Sequence, residues 1–141
     1  MLFSHILVPY DGSEQSIKSL DKAIEFAKQD PKIKLTVLHV VSIPPRTVQM
    51  SLYIQYKQTI LDGANEIIKP ANAKLSQLPN PTEVYVKEAP SFNAILQEAY
   101  DLNCDLIIMG SRGLSGIKEF LGSVSHLIVQ KSRIPVMVMK S

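Results

Sequence analysis

The chemistry legible in this chain is concentrated in one stretch, Gly110-Ser111-Arg112-Gly113-Leu114-Ser115-Gly116-Ile117-Lys118-Glu119-Phe120-Leu121-Gly122-Ser123-Val124. It follows the apolar run Leu106-Ile107-Ile108-Met109 and leads into an amphipathic run, so it reads as strand, glycine loop and helix start. A loop so placed is a phosphate cradle. Glycine lets the backbone approach a ligand, successive N–H groups converge on an anion, and the adjoining helix adds the positive end of its dipole. Ser123 brings a hydroxyl donor to the same place, and Arg112 is either a partner for phosphate oxygens or a solvated loop cation. A second polar stretch, Pro9-Tyr10-Asp11-Gly12-Ser13, closes the first apolar run. Asp11 there either caps a helix start or is an acidic group placed to accept from ribose hydroxyls or to hold a divalent ion. No GxxxxGK[ST] occurs, and no GxGxxG follows the first strand, so the pattern is neither a P-loop nor a dinucleotide fingerprint.

Other reactive side chains read as structural. His39 has no serine, cysteine or carboxylate spaced to form a recognisable triad, and His5 and His126 lack metal-type neighbours. Cys104 is the single cysteine, which excludes an internal disulfide, and its place before an apolar strand makes it a small buried hydrophobe. Tyr53 and Tyr56 serve packing or a partner contact.

Strands must alternate with helices to hold these groups. Ile6-Leu7-Val8 is a strand, followed by a helix from near Ser13 with Ile17, Leu20, Ile24 and Ala27 at helical spacing, ended by Asp30-Pro31. Leu35 to Val41 is a β-branched strand whose end, at Val40 and Val41, offers backbone groups and an apolar wall to a base. Ser42 to Met50, with Pro44-Pro45 and Arg46, reads as an extended loop able to act as a lid. Ser51 to Leu78 follows as a long helix with Leu52, Tyr56, Ile60, Ala64, Ile67, Ala71, Leu75 and Leu78 on one face and Pro70 as a kink. Thr82 to Val86 is a third strand, and Pro90 suits the first turn of a helix carrying Ile95, Leu96, Ala99 and Leu102. Leu106 to Met109 is the fourth strand, Ser123 to Ser132 the last helix, and Val136 to Met139 the fifth strand. This alternation specifies a doubly wound α/β sheet, mostly parallel, with helices on both faces. Ligands of such sheets bind beyond the carboxyl ends of the strands where the strand order reverses. With the first and fourth strands as central neighbours, that crevice holds Asp11 opposite the Gly110 loop, a mononucleotide site.

The bounds agree. A chain of 141 residues is one domain, residues 1–141, and at this size about 68–70% of the unfolded surface is buried. A net charge of +2 gives no sign of nucleic acid or a membrane surface, and no apolar run approaches the roughly 18 residues of a spanning helix. The N-terminus lacks a basic region and cleavage site, which with the lone cysteine points to the cytoplasm. Val136 to Met139 would be an apolar edge strand, and pairing with its own copy in a homodimer would cover it.

The chain resembles the universal stress proteins, in their nucleotide-binding branch, nearly end to end. The resemblance is carried by Ile6-Leu7-Val8-Pro9-Tyr10-Asp11-Gly12-Ser13, Leu38-His39-Val40-Val41, Met109-Gly110-Ser111-Arg112-Gly113-Leu114-Ser115-Gly116, Leu121-Gly122-Ser123-Val124-Ser125 and Ile134-Pro135-Val136-Met137-Val138. It implies an adenine nucleotide alpha hydrolase-like sheet in the order 3-2-1-4-5 and a homodimer through the last strand. It also implies ATP, or AMP or ADP, with Mg²⁺ or Mn²⁺ on the phosphates. The residues implied to bind nucleotide are Pro9, Tyr10, Asp11, Val40, Met109, Gly110, Arg112, Gly113, Gly122, Ser123 and Val124. Asp11 would meet the ribose or metal, Val40 the adenine through its backbone, Gly110 and Gly113 the ribose and first phosphates, and Gly122, Ser123 and Val124 the outer phosphates. Two departures stand out. The family's G-x2-G-x9-G-[S/T] pattern has here only Leu114 to Leu121 between Gly113 and Gly122, eight residues. Such a deletion is harmless in a turn, but within helix it rotates the downstream residues by roughly 100° and would displace the Gly122-Ser123 pair. Glu88 stands where many members have glycine before the proline at Pro90, which would bring a negative side chain near the base end of the crevice. The sequence supports a dimeric stress-response regulator that binds ATP, with slow turnover or none. Its alternatives are a dimeric interaction module without nucleotide, or a slow ATPase or phosphotransferase using Asp11.

Overall fold

In the computed structural model, residues 2–42, 49–112 and 122–140 are described. The elements run β1 (His5–Pro9), α1 (Glu14–Ala27), β2 (Lys34–Val41), α2 (Met50–Leu75), β3 (Thr82–Glu88), α3 (Ala94–Asp101), β4 (Leu106–Gly110), α4 (Ser123–Lys131) and β5 (Val136–Met139). They form a five-stranded sheet in the order β3-β2-β1-β4-β5. Every pairing is parallel, with Ile6 opposite Leu35 on one side and Leu106 on the other. Parallel neighbours need crossover helices, and these cover both faces.

Alternation along the strands decides which face each residue serves. Ile6, Val8, Leu35, Val37 and Ile108 pack with Leu20, Ala23, Ala71 and Leu75 of α1 and α2. Leu7, Leu38, Ile107 and Met109 pack with Ile95, Leu96, Ala99 and Ile128 of α3 and α4. Ile6, Leu7, Ile107 and Ile108 are fully buried, and such side chains each contribute roughly 1.5–3 kcal/mol relative to exposure. At the amino end of the sheet the Asp105 carboxylate accepts from the backbone N–H groups of Ser4 and His5 at 2.8 and 3.0 Å, tying the start of β1 to β4. The His5 ring bridges the Leu102 carbonyl at 3.0 Å and Thr36 Oγ1 at 2.7 Å. Burial holds its pKa below 6.5, so the neutral form donates from Nδ1 and accepts at Nε2.

Three local expectations are corrected. Of the apolar face drawn along α2, only Ala64, Ala71 and Leu75 are buried, with Ile68 buried beside it and Ile67 half-buried, while Leu52 and Tyr56 are exposed. The reason is length: the 26 residues of α2 rise about 39 Å and the 8 residues of β2 span about 26 Å, so the first turns overhang the sheet. α2 contains Pro70, as expected, but stops at Leu75, short of Leu78. Pro90 lies outside α3, which begins at Ala94; a turn with Ala94 N–H donating to Ser91 O and Ile95 N–H to Phe92 O intervenes. The segment read as a lid, including Arg46, falls mostly on residues 43–48, outside the described residues.

Candidate functional site: a crevice at the carboxyl ends of β1 and β4

The strand order reverses between β1 and β4, and there the crossovers leave on opposite faces and open a crevice. Its volume is about 460 Å³, and its walls come from the ends of β1, β2 and β4, the start of α1, the turn before α3 and the start of α4. Pro9, Tyr10, Asp11, Val40, Met109, Gly110, Arg112, Gly122, Ser123 and Val124 all line it. Gly113, the remaining residue of the sequence-derived set, lies outside the described residues.

Each wall has a local cause. Gly12 takes φ +81°, a left-handed conformation that suits glycine, and turns the chain from β1 into α1. One oxygen of Asp11, Oδ1, accepts from Ser13 N–H at 2.9 Å, and Ser13 Oγ accepts from Ser16 N–H at 3.2 Å as the N-cap of α1. The helix cap is thus Ser13 and not Asp11, whose carboxylate holds the turn before the cap while lining the crevice. Tyr10 is buried, which raises its phenol pKa, and its carbonyl accepts from His39 Nδ1 at 2.7 Å. Because a carbonyl only accepts, that bond makes Nδ1 a protonated nitrogen and fixes the ring's orientation. His39 lines the crevice in this fixed orientation.

On the opposite wall, α4 starts at Ser123 with Gly122 as an N-cap that has no side chain to satisfy the first turn. The N–H groups of Ser123, Val124 and Ser125 have no intrahelical acceptor, as in any first helical turn, and they carry the positive end of the dipole. Gly122 N–H donates to Ser111 O at 2.7 Å, and Ser125 Oγ to Gly110 O at 2.7 Å, so the helix start is stitched to the end of β4. Gly122 and Ser123 line the same crevice as Gly110, while the shortened stretch that precedes them lies outside the described residues. Glu88 is not on the crevice wall. It ends β3 opposite Val41, and its carboxylate pairs with Lys57 of α2 at 3.2 Å.

Sequence reasoning missed Gln15, Ser16, Ser125 and Phe92. Ser16, Ser125 and Phe92 line the crevice, and Gln15 is buried behind it, its Oε1 accepting from Ser111 Oγ and Arg112 N–H. A signal for Gln15 existed: it stands four residues before Ser19, eight before Ala23 and twelve before Ala27, on the stripe that α1 buries.

The universal stress protein family model matches residues 2–140. The chain belongs to the universal stress protein family. Universal stress protein YxiE of Bacillus subtilis is 30% identical over 149 residues, covering 99% of this chain and all of that protein. Among solved structures, hypothetical protein MJ0577 superposes with a TM-score of 0.86 at 26% identity, covering 100% of this chain and 98% of the other. The universal stress protein family protein At3g01520 of Arabidopsis thaliana, solved with AMP bound, has a TM-score of 0.71 at 18% identity over 97% and 91% of the two chains. At that identity the likeness is one of fold. Among the described residues no helix of this universal stress protein is long and apolar enough to cross a membrane.

Proposed function

We propose that this universal stress protein binds an adenine nucleotide in the crevice between β1 and β4 and works as a dimeric, cytoplasmic stress-response regulator. The observation that carries the reading is the start of α4, a helix N-terminus whose N-cap, Gly122, brings no side chain to it, with the Ser123 hydroxyl beside it, at a cavity of about 460 Å³. Such an end suits phosphate oxygens. Val40, Met109 and Ile95 give the crevice an apolar side suited to a base, and Asp11 faces it as an acceptor for ribose hydroxyls. The AMP carried by the Arabidopsis relative supports the same ligand class. Among the described residues no three His, Cys, Asp or Glu side chains cluster to hold a metal, so Mg²⁺ or Mn²⁺ would enter on the phosphates, with Asp11 as the carboxylate at hand. The dimer would form through β5, a four-residue strand that ends the sheet beyond β4 with half-buried valines and methionines.

Titration calorimetry with ATP and Mg²⁺, and separately with AMP, tests this. Ser123→Asp is the informative variant, because an acidic residue in the first turn favours the helix while repelling phosphate. The expected result is binding by the native chain and at least a tenfold loss, about 1.4 kcal/mol, in Ser123→Asp with the fold retained. A native chain that binds neither nucleotide refutes the proposal and turns attention to the interaction-module reading.

A further inference from the structure

Gln15 is the second residue of α1 and only 4% exposed, an unusual place for a long amide side chain. Its Oε1 accepts two bonds, from Ser111 Oγ at 2.8 Å and from Arg112 N–H at 3.0 Å. Its Nε2 is buried and has no partner among the described residues. An apolar side chain of similar size would fill this space without leaving an amide donor unsatisfied, so packing does not explain the residue. What the amide does is grip one peptide group. The Ser111–Arg112 unit is planar and trans, so its N–H and C=O point in opposite directions. The N–H end is held by Gln15, and the C=O end accepts from Gly122 N–H at 2.7 Å, the residue that caps α4.

We propose that Gln15 is a positioning residue for the phosphate end of the crevice. By fixing the Ser111–Arg112 peptide from the α1 side it turns the Ser111 carbonyl toward Gly122 and so sets where the open N–H groups of α4 stand. This rests on the nucleotide-binding reading above and adds a residue that does not line the crevice. Gln15 acts through the backbone, so its loss affects what binds at the α4 N-terminus and spares what binds at the base end.

Gln15→Met keeps the volume and removes the acceptor. Two measurements decide the matter: calorimetric affinities for ATP·Mg²⁺ and for adenosine, and amide hydrogen exchange at Arg112 and Gly122. The expected result is about a tenfold weaker ATP affinity with adenosine changed less than about twofold, the loss of roughly one hydrogen bond's worth of positioning. Exchange rises at both amides while that of Ala23, inside α1, stays as in the native chain. Gln15→Glu, which retains an oxygen for both donors, keeps Gly122 protected. Equal losses for ATP and adenosine, or unchanged protection of Gly122 in Gln15→Met, overturn the proposal. If the native chain binds no nucleotide, the functional reading fails and the exchange measurement alone decides whether Gln15 holds the clamp.

Discussion

The tightest approach in the crevice wall makes Gly110 the most informative place to add one carbon. A Cβ built on Gly110 stands 2.8 Å from Gln15 Cβ, 3.3 Å from Gln15 Oε1 and 3.3 Å from the Arg112 carbonyl oxygen. Carbon atoms in contact prefer about 3.5–4.0 Å, so β4 and α1 must separate by roughly 0.7–1.2 Å at this point. Gln15 Cβ is fixed to the α1 backbone and cannot swing aside as the end of a side chain would. Forced separation of packed elements costs about 1–3 kcal/mol, against a gain of about 0.4–1 kcal/mol from the lower entropy of the unfolded alanine chain, so Gly110→Ala is destabilising by roughly 1–2 kcal/mol net. Gly63 is the internal control. A Cβ there meets nothing within 4 Å, and the residue sits inside α2, so Gly63→Ala stabilises by up to about 1 kcal/mol. Urea unfolding followed by circular dichroism gives both numbers, and nucleotide titration of the same proteins gives a second readout. The separation also strains the Gln15 bonds, so Gly110→Ala weakens ATP more than adenosine. A Gly110→Ala chain as stable as the native one, or a destabilised Gly63→Ala, would refute the reasoning.

Three further outcomes are expected. The His5 pKa lies below 6.5 in the fold, chiefly through burial, so the unfolded chain binds the extra proton first. Stability from this group is complete above pH 6.5 and is lost as pH falls toward the folded pKa, by at most about 1.4 kcal/mol per pH unit. Urea midpoints between pH 7.5 and 5 should show that slope, and His5→Gln should flatten it. Glu98 is buried and accepts from Tyr85 Oη at 2.6 Å and from Lys87. Burial raises its pKa, but these two donors outweigh that and hold it below the usual 4.5, so Glu98→Ala should destabilise by about 1–3 kcal/mol in the same unfolding assay. Val138→Lys places a charge on the β5 edge and should convert a particle of twice the 15.7 kDa chain mass to a monomer in light scattering, with the circular dichroism spectrum unchanged.

Most crevice residues were legible because their position comes from adjacency to strand ends. Asp11 comes two residues after β1, Val40 is the penultimate residue of β2, and Gly110 ends β4. Once the strands are recognised as parallel, those ends must share one side of the sheet. The order of the strands is different: apolar alternation says that strands exist but not which are neighbours, and the order came from the family resemblance. Gln15 was not legible as a site residue because its partner Ser111 lies 96 residues away, and only folding puts α1 against that peptide. The overhang of α2 escaped for a related reason. Periodicity finds the stripe of Leu52, Tyr56 and Ala64, but burial of its early turns requires sheet beneath them, and β2 is too short to supply it.

The glycine spacing obeys the same physics. Counting eight residues where nine are usual matters if the chain between Gly113 and Gly122 runs as helix into α4, because each residue then turns the next by about 100°. Gly122 itself breaks that dependence. Its φ −66° and ψ 164° are extended, so α4 begins anew at Ser123, with no helical phase carried across the cap. Its N–H is fixed to Ser111 O, the other end of the peptide that Gln15 grips. The start of α4 is therefore held by hydrogen bonds to the end of β4, Gly122 N–H to Ser111 O and Ser125 Oγ to Gly110 O, and carries no helical phase from the chain before it. A loop of different length can deliver the same helix start to the same crevice provided that these bonds form.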